Sequence, residues 1–237
     1  MENAIVFDTG PVISLTMNNL LWTLKELKGK FHGKFYITPA VYNELIKRPL
    51  ETKRFKLEAM QILPLIATNV IEIFEDEKIH KKTLQLLDIA NKCFKVRGNW
   101  MRIVHYAEAE AVSTALFLGA NTVVIDERTT RHLIEDPMLI KRHMERKIHE
   151  DVKINKENLR LLGEIFKDLK VIRSIELVTV SYELGLLDRF IVEGEKKFVV
   201  DPKKDILEGA LWAIKLSGCS VREDEIKEII EIEAKKR

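Results

Sequence analysis

Four carboxylates stand where α/β proteins do their chemistry, at the ends of apolar runs and the starts of helices. Asp8 closes "AIVFD", Glu44 lies in "PAVYNELIKR", Glu108 opens "AEAEAVSTALFLGA" and Asp126 closes "NTVVIDE". Like charges held within a few ångströms repel and raise one another's pKa, so a site shared by these acids calls for a cation. Oxygen donors without cysteine suit Mg²⁺ or Mn²⁺ rather than zinc. Two such ions can activate a water and stabilise the leaving oxygen of a phosphodiester. Each acid alone also has an ordinary reading. Asp8 and Asp126 follow strands, where an acid often caps a helix or fills a turn, and the helix dipole favours Glu44 and Glu108 in a first turn of any protein. Glu110, two positions from Glu108, falls on a different helix face and is expected in solvent. Only the set points to a metal.

The elements must bring these residues to one edge. "AIVFD" reads as a buried strand that stops at Thr-Gly-Pro. A helix is expected over residues 16–30, then a strand in "KFYITP", with Pro39 placed at the first turn of the next helix where its missing N–H does no harm. Helices follow over 51–67 and 76–94 with "NVIEIF" between them, then a loop at "VRGNWMR". The alanine-rich helix closes at Gly119, and "NTVVIDE" is a strand of the parallel, buried type. Strands alternating with helices imply an α/β domain whose ligands lie beyond the carboxyl ends of the strands.

The 237 residues are enough for one large domain or a compact domain with an extension, and 46% are hydrophobic. No apolar run has membrane-spanning length and no secretory leader opens the chain, so a cytoplasmic protein away from the membrane is expected. Cys93 and Cys219 are expected as buried small hydrophobes, with neither a thiolate zinc site nor a disulfide. Net charge is only +2 with 32% charged residues, so affinity for nucleic acid must come from local patches. That charge density and the scarcity of glutamine lean towards a thermophilic source.

The stretches "VFDTGPVISL", "YITPAVYNELI" and "AEAEAVSTALFLGANTVVIDERTTR" together resemble the PIN-domain nucleases, and within them the archaeal and bacterial type with Gly-Glu-x-Glu-Ala and Asp-Asp-x-x-x-Arg. The resemblance covers about residues 1–135 and departs at Ala107, where glycine is usual, and Glu127, where the second aspartate is usual. It implies an α/β/α sandwich with a central, mainly parallel sheet. It also implies Asp8, Glu44, Glu108 and Asp126 as catalytic metal ligands, Glu127 as a further ligand candidate with Asp126 favoured, and Thr9 orienting Asp8 or a metal-bound water. Arg131 fills the arginine position and is expected at the substrate, and Ser14 is expected as a helix cap. The implied activity is a Mg²⁺- or Mn²⁺-dependent nuclease, most often a ribonuclease. Aspartic proteases share Asp-Thr-Gly but are all-β and carry the motif twice. A catalytically silent PIN-like module that binds RNA or protein is the alternative. A toxin with an antitoxin partner is disfavoured because such toxins are little more than the bare domain.

For substrate, "KRPLETKRFK" supplies Lys47, Arg48 and three further cations directly after Glu44, a phosphate-binding edge or a solvated helix face. Lys95, Arg97 and Arg102 surround Trp100, whose ring suits base stacking, although core packing is the favoured reading. Residues 136–237 form a mostly helical insertion and extension without a catalytic pattern. A strand is expected at "LKVIRS", and helices at "IELVTVSYELGLL", "DILEGALWAIKLSG" and after a Ser220–Glu223 capping box. They are expected to pack on the core or on a second copy in a homodimer.

Overall fold

The computed structural model describes residues 3–191 and 201–236. Strand β1 (Ala4–Phe7) is buried along its whole length, as an unbroken apolar run requires at the centre of a parallel sheet. The chain turns at Asp8 into α1 (Thr9–Met17), continues to α2 (Thr23–Phe31) and returns as β2 (Lys34–Ile37). The single helix expected over 16–30 is thus two. Asn19 adopts a left-handed φ of 54° and Leu20 N–H bonds back to the Leu15 carbonyl at 2.8 Å, which closes α1.

Helix α3 (Pro39–Tyr42) runs through a π-helical stretch (Asn43–Lys47) into α4 (Arg48–Thr52). Pro49 accounts for the widening: it has no N–H to give Leu45, and its ring crowds that carbonyl, so the backbone takes in an extra residue before it. Lys53 and Phe55, at φ of 69° and 59°, then delay α5 (Lys56–Ala67) beyond its expected start. Next come β3 (Glu72–Ile73) and α6 (Glu77–Ala90). Strands β4 (Phe94–Val96) and β5 (Asn99–Trp100) form a hairpin where a loop was expected. Arg97 and Gly98 both hold positive φ, 49° and 83°, the two-residue turn whose twist matches its strands.

Helix α7 (Tyr106–Leu118) ends at Gly119 and leads to β6 (Thr122–Val124), α8 (Arg128–Glu135), α9 (Pro137–Ile148), β7 (Lys153–Ile154) and α10 (Lys156–Ile165). Strand β8 (Lys170–Ile172) precedes α11 (Ser174–Glu183), a 3-10 turn (Leu186–Phe190), α12 (Pro202–Leu216) and α13 (Glu223–Lys235). Helix α13 opens through Glu225, which accepts the Arg222 N–H at 3.0 Å, whereas Ser220, expected to cap it, accepts from Arg128 Nε at 3.0 Å.

The main sheet has the order β3-β2-β1-β6-β8, every neighbouring pair parallel, and β4 joins β5 and β7 in a small antiparallel sheet. Alternation along β1 divides the core. Ile5 and Phe7 face Val12, Leu24 and Ile62, together with Val178, Leu211 and Ile226 from the C-terminal helices. Ala4 and Val6 face Leu86, Val112 and Leu162 of α6, α7 and α10. The result is an α/β/α sandwich with a largely helical C-terminal part, whose β8 extends the main sheet past β6. Both cysteines are buried, and among the described residues no helix is long and apolar enough to cross a membrane.

Arg173 fastens the last helix to this edge. Its side chain, 11% exposed, pairs with Glu176 and with Glu225 at 3.2 Å and donates to the Ser220 carbonyl at 3.0 Å. Arg173→Ala leaves these acceptors without their donor and is expected to destabilise the chain by about 1–3 kcal/mol. Urea unfolding measures this, and an unchanged midpoint would show that Arg173 is no clasp.

Candidate functional site

Strand order reverses direction at β1, so the crevice beyond the carboxyl ends of β1 and β6 is the switch point of the sheet. Asp8 stands there, only 6% exposed, with its N–H bonded to the Val124 carbonyl at 3.0 Å. It occupies the N-cap position of α1 but makes no side-chain capping hydrogen bond. Burial first, then the charges of Glu108 and Glu44, push its carboxyl up to about 7, against a partial pull downward from the Thr9 and Gly10 amides. The geometry therefore brings Asp8, Glu44 and Glu108 into one electrostatic neighbourhood.

Neighbouring hydroxyls hold the two glutamates. Glu44, in the π-helical stretch, accepts from Thr9 Oγ1 at 2.6 Å, so Thr9 orients Glu44 where it was expected to serve Asp8 or a metal-bound water. Glu108 Oε2 reaches back to the His105 N–H at 3.1 Å and accepts from Thr130 Oγ1 at 2.7 Å. Burial chiefly raises the Glu108 carboxyl, and Glu127 adds to the rise. Glu127 caps α8 by accepting the Thr130 N–H at 2.7 Å, so Thr130 serves both acids at once.

Asp126 is placed differently from its expected role as a metal ligand. It is 3% exposed and both oxygens are engaged: Oδ1 by the Ser174 N–H at 2.8 Å, and Oδ2 by Ser174 Oγ at 2.7 Å and Ser14 Oγ at 3.1 Å. Its carbonyl accepts the Ser220 N–H at 3.1 Å. Ser14, expected as a cap, lies buried inside α1 and donates to this carboxylate. Gly10 sits between Asp126 and Asp8: a Cβ added there would lie 3.4 Å from Asp126 Cβ and 3.9 Å from Asp8 Oδ2. Asp126 thus borders the acid edge while its carboxylate faces the C-terminal helices.

Three further expectations change. Glu110 is buried: it accepts from the Ala40 N–H at 2.8 Å and the Tyr106 hydroxyl at 3.3 Å, because the face of α7 that carries it packs against the start of α3. Trp100 is 44% exposed with Lys95 Nζ 5.0 Å above its ring, since β5 lies at the rim of the small sheet and leaves it no core to enter. Arg131 is set back, 13% exposed with Nε 3.9 Å from Glu135, and does not reach the surface of the acid edge. Lys47 and Arg48 are exposed on the same helical run as Glu44, with Lys47 Nζ 5.7 Å from the Tyr42 ring. Arg97 is engaged by Glu150.

The donors at the acid edge fit a hard divalent cation in kind, all of them carboxylate or hydroxyl oxygens, and a buried carboxyl raised to about 7 marks negative charge in need of neutralisation. Mg²⁺ commonly binds through one or two protein carboxylates with water completing its shell. Among the described residues no three His, Cys, Asp or Glu side chains already stand together as a metal cage. The Thr130 hydroxyl was part of the quoted "DERTTR" and was legible as a capping pattern. Ser174 carried no signal, being 48 residues from the acid it binds.

A parallel α/β sandwich with acids gathered beyond its central strands defines the nuclease-type α/β domains. The chain belongs to the PIN-domain family: the family DUF3368, described as a PIN domain, matches residues 4–137, more than half of the chain. Searches among curated proteins and among solved structures gave no match. PIN domains are generally nucleases and typically use divalent metals.

Two measurements follow from this geometry. Asp8 has a folded-state pKa of about 7 against a usual 3.8, so the folded metal-free chain holds the extra proton and loses stability as pH rises through that window. The loss is on the order of 4 kcal/mol. In EDTA the melting temperature of Asp8→Asn is expected to exceed that of wild type at pH 8 and to converge with it near pH 4. A gap that does not vary with pH would contradict the assignment. Asp126→Asn cannot accept all three hydrogen bonds and is expected to cost about 2–3 kcal/mol. Ser174→Ala, which keeps the backbone donor, should cost about half as much in the same unfolding assay, whereas full stability of Asp126→Asn would show that the serines do not depend on its charge.

Proposed function

We propose that the chain is a divalent-metal-dependent nuclease, in its main activity an endoribonuclease acting on single-stranded or flexible segments. The carrying observation is Asp8, buried, without a capping role, and raised to about 7 by burial and by Glu108 and Glu44 at the switch point of the sheet. Asp8, Glu44 and Glu108 would hold one or two Mg²⁺ or Mn²⁺ ions, with Glu127 in reach through its coupling to Glu108. A bound ion supplies neutralisation of the acids and Lewis-acid activation of water towards a phosphodiester.

The rest of the chemistry belongs to the chain. Thr9 and Thr130 keep Glu44 and Glu108 from turning away as they ionise. Asp126 acts from behind the edge, fixing the end of β6 against α1 and α11. Lys47 and Arg48 meet backbone phosphates beside Glu44, and the exposed Trp100 ring offers a stacking surface farther along. Residues 1–135 are the catalytic core in this reading, and residues 136–237 pack on it and continue its sheet through β8.

The test is cleavage of labelled single-stranded and structured RNA and DNA with Mn²⁺ by wild type, Asp8→Asn and Glu108→Gln. Both variants are expected to lose activity by about 10²-fold or more while keeping the wild-type circular dichroism spectrum. A wild type that binds RNA but cleaves nothing would make the protein a silent binding module, and preferential cleavage of DNA would replace the substrate class.

A further inference from the structure

We infer that the cavity between α8 and α9 is a nucleotide subsite, taking a backbone phosphate of the substrate strand on a cationic rim and its base on an apolar floor. This rests on the nuclease reading and extends it to a substrate contact outside the acid edge. The cavity measures about 280 Å³. Arg128, His132, His143 and Lys147 form its rim, and no carboxylate lines it among the described residues. Met101, Ile140 and Met144 supply the floor.

Charge is concentrated there without local compensation. The neighbouring acids are engaged elsewhere: Glu127 caps α8, while Asp136 accepts the Met138 N–H at 3.0 Å and pairs with Arg142 at 3.4 Å. Arg128 is held in place by Ser220 Oγ, which accepts its Nε–H. His143 and Lys147 are exposed and make no hydrogen bond or ion pair among the described residues, and His132 Nδ1 has no partner. Cations on an ordinary solvated helix face spread apart into water, whereas these converge on a concave apolar surface. That combination suits a phosphate with an unstacked base, the form in which proteins read flexible single strands. Methionine adapts its shape to different bases.

The position fits a strand cut at the acid edge. Thr129 lines the cavity, and the next residue, Thr130, holds Glu108. The two sites therefore flank the first turn of α8, a span of about 5 Å. A strand with its scissile bond at the acids reaches the cavity within about one or two nucleotides.

The experiment measures binding of a 5′-fluorescein single-stranded 12-nucleotide RNA by anisotropy in EDTA, comparing wild type with His143→Gln/Lys147→Gln. Both residues are exposed and unpartnered, so the double variant should melt with wild type. Its Kd is expected to rise about tenfold, and the slope of log Kd against log salt to fall by about one, from two lost phosphate contacts worth about 0.7 each on a single strand. In wild type, AMP should compete for the labelled RNA and adenosine should not. A Kd and salt slope within twofold of wild type, or equal competition by adenosine, would overturn the subsite. Failure of the nuclease reading shows separately, as wild type without metal-dependent cleavage.

Discussion

The pairing of β1 with β6 carries the rest of the site, because it sets two acidic strand ends side by side in a sheet buried on both faces. Val6 opposes Val123 and Phe7 opposes Val124, and the ladder extends to the Asp8 N–H. Slipping this register would exchange the side chains sent to the two core clusters, so burial on both faces fixes it. Once it is fixed, Asp8 and Asp126 must emerge at the same edge. Gly10 then matters as the residue without a side chain between them.

The same burial makes the edge reactive. A carboxylate on an exposed turn would keep an ordinary pKa, but Asp8 is enclosed by the strands, the start of α1 and two further acids. The metal-free fold holds this acid in a state that opposes ionisation, a strain maintained by the hydrophobic layers on either side. Hydroxyl groups carry the local organisation. Thr9 and Thr130 each fix a glutamate of the set, and the π-helical stretch before Pro49 gives Glu44 its place in reach of Thr9.

Asp126 links this edge to the C-terminal helices. Ser14 comes from α1, Ser174 from the start of α11 and the Ser220 N–H from the segment before α13, so one residue ties three distant stretches to the end of β6. Arg173 and Arg128 repeat the connection through Ser220. The helices beyond residue 170 are consequently coupled to the acid edge through hydrogen bonds as well as through the shared core.

Much was legible in local pattern: the unbroken apolar runs of β1 and β6, Pro39 at a helix start, Gly119 at a helix end, and the spacing of Asp8, Glu44 and Glu108. These features depend on neighbours within a few residues, which the sequence displays directly. The inward face of α7 that buries Glu110, the exposure of Trp100, and the partners that turn the Asp126 carboxylate away from the acid edge were decided elsewhere. Each depends on which distant surface arrives opposite a side chain, such as Ser174 for Asp126 or Ala40 for Glu110. The sequence by itself determined the α/β class and which acids meet at the sheet edge. Only tertiary packing decided which carboxylates lie buried with raised pKa, which are saturated by hydroxyl and amide donors, and which cations converge on a cavity, because desolvation and hydrogen bonding arise only when remote segments come into contact.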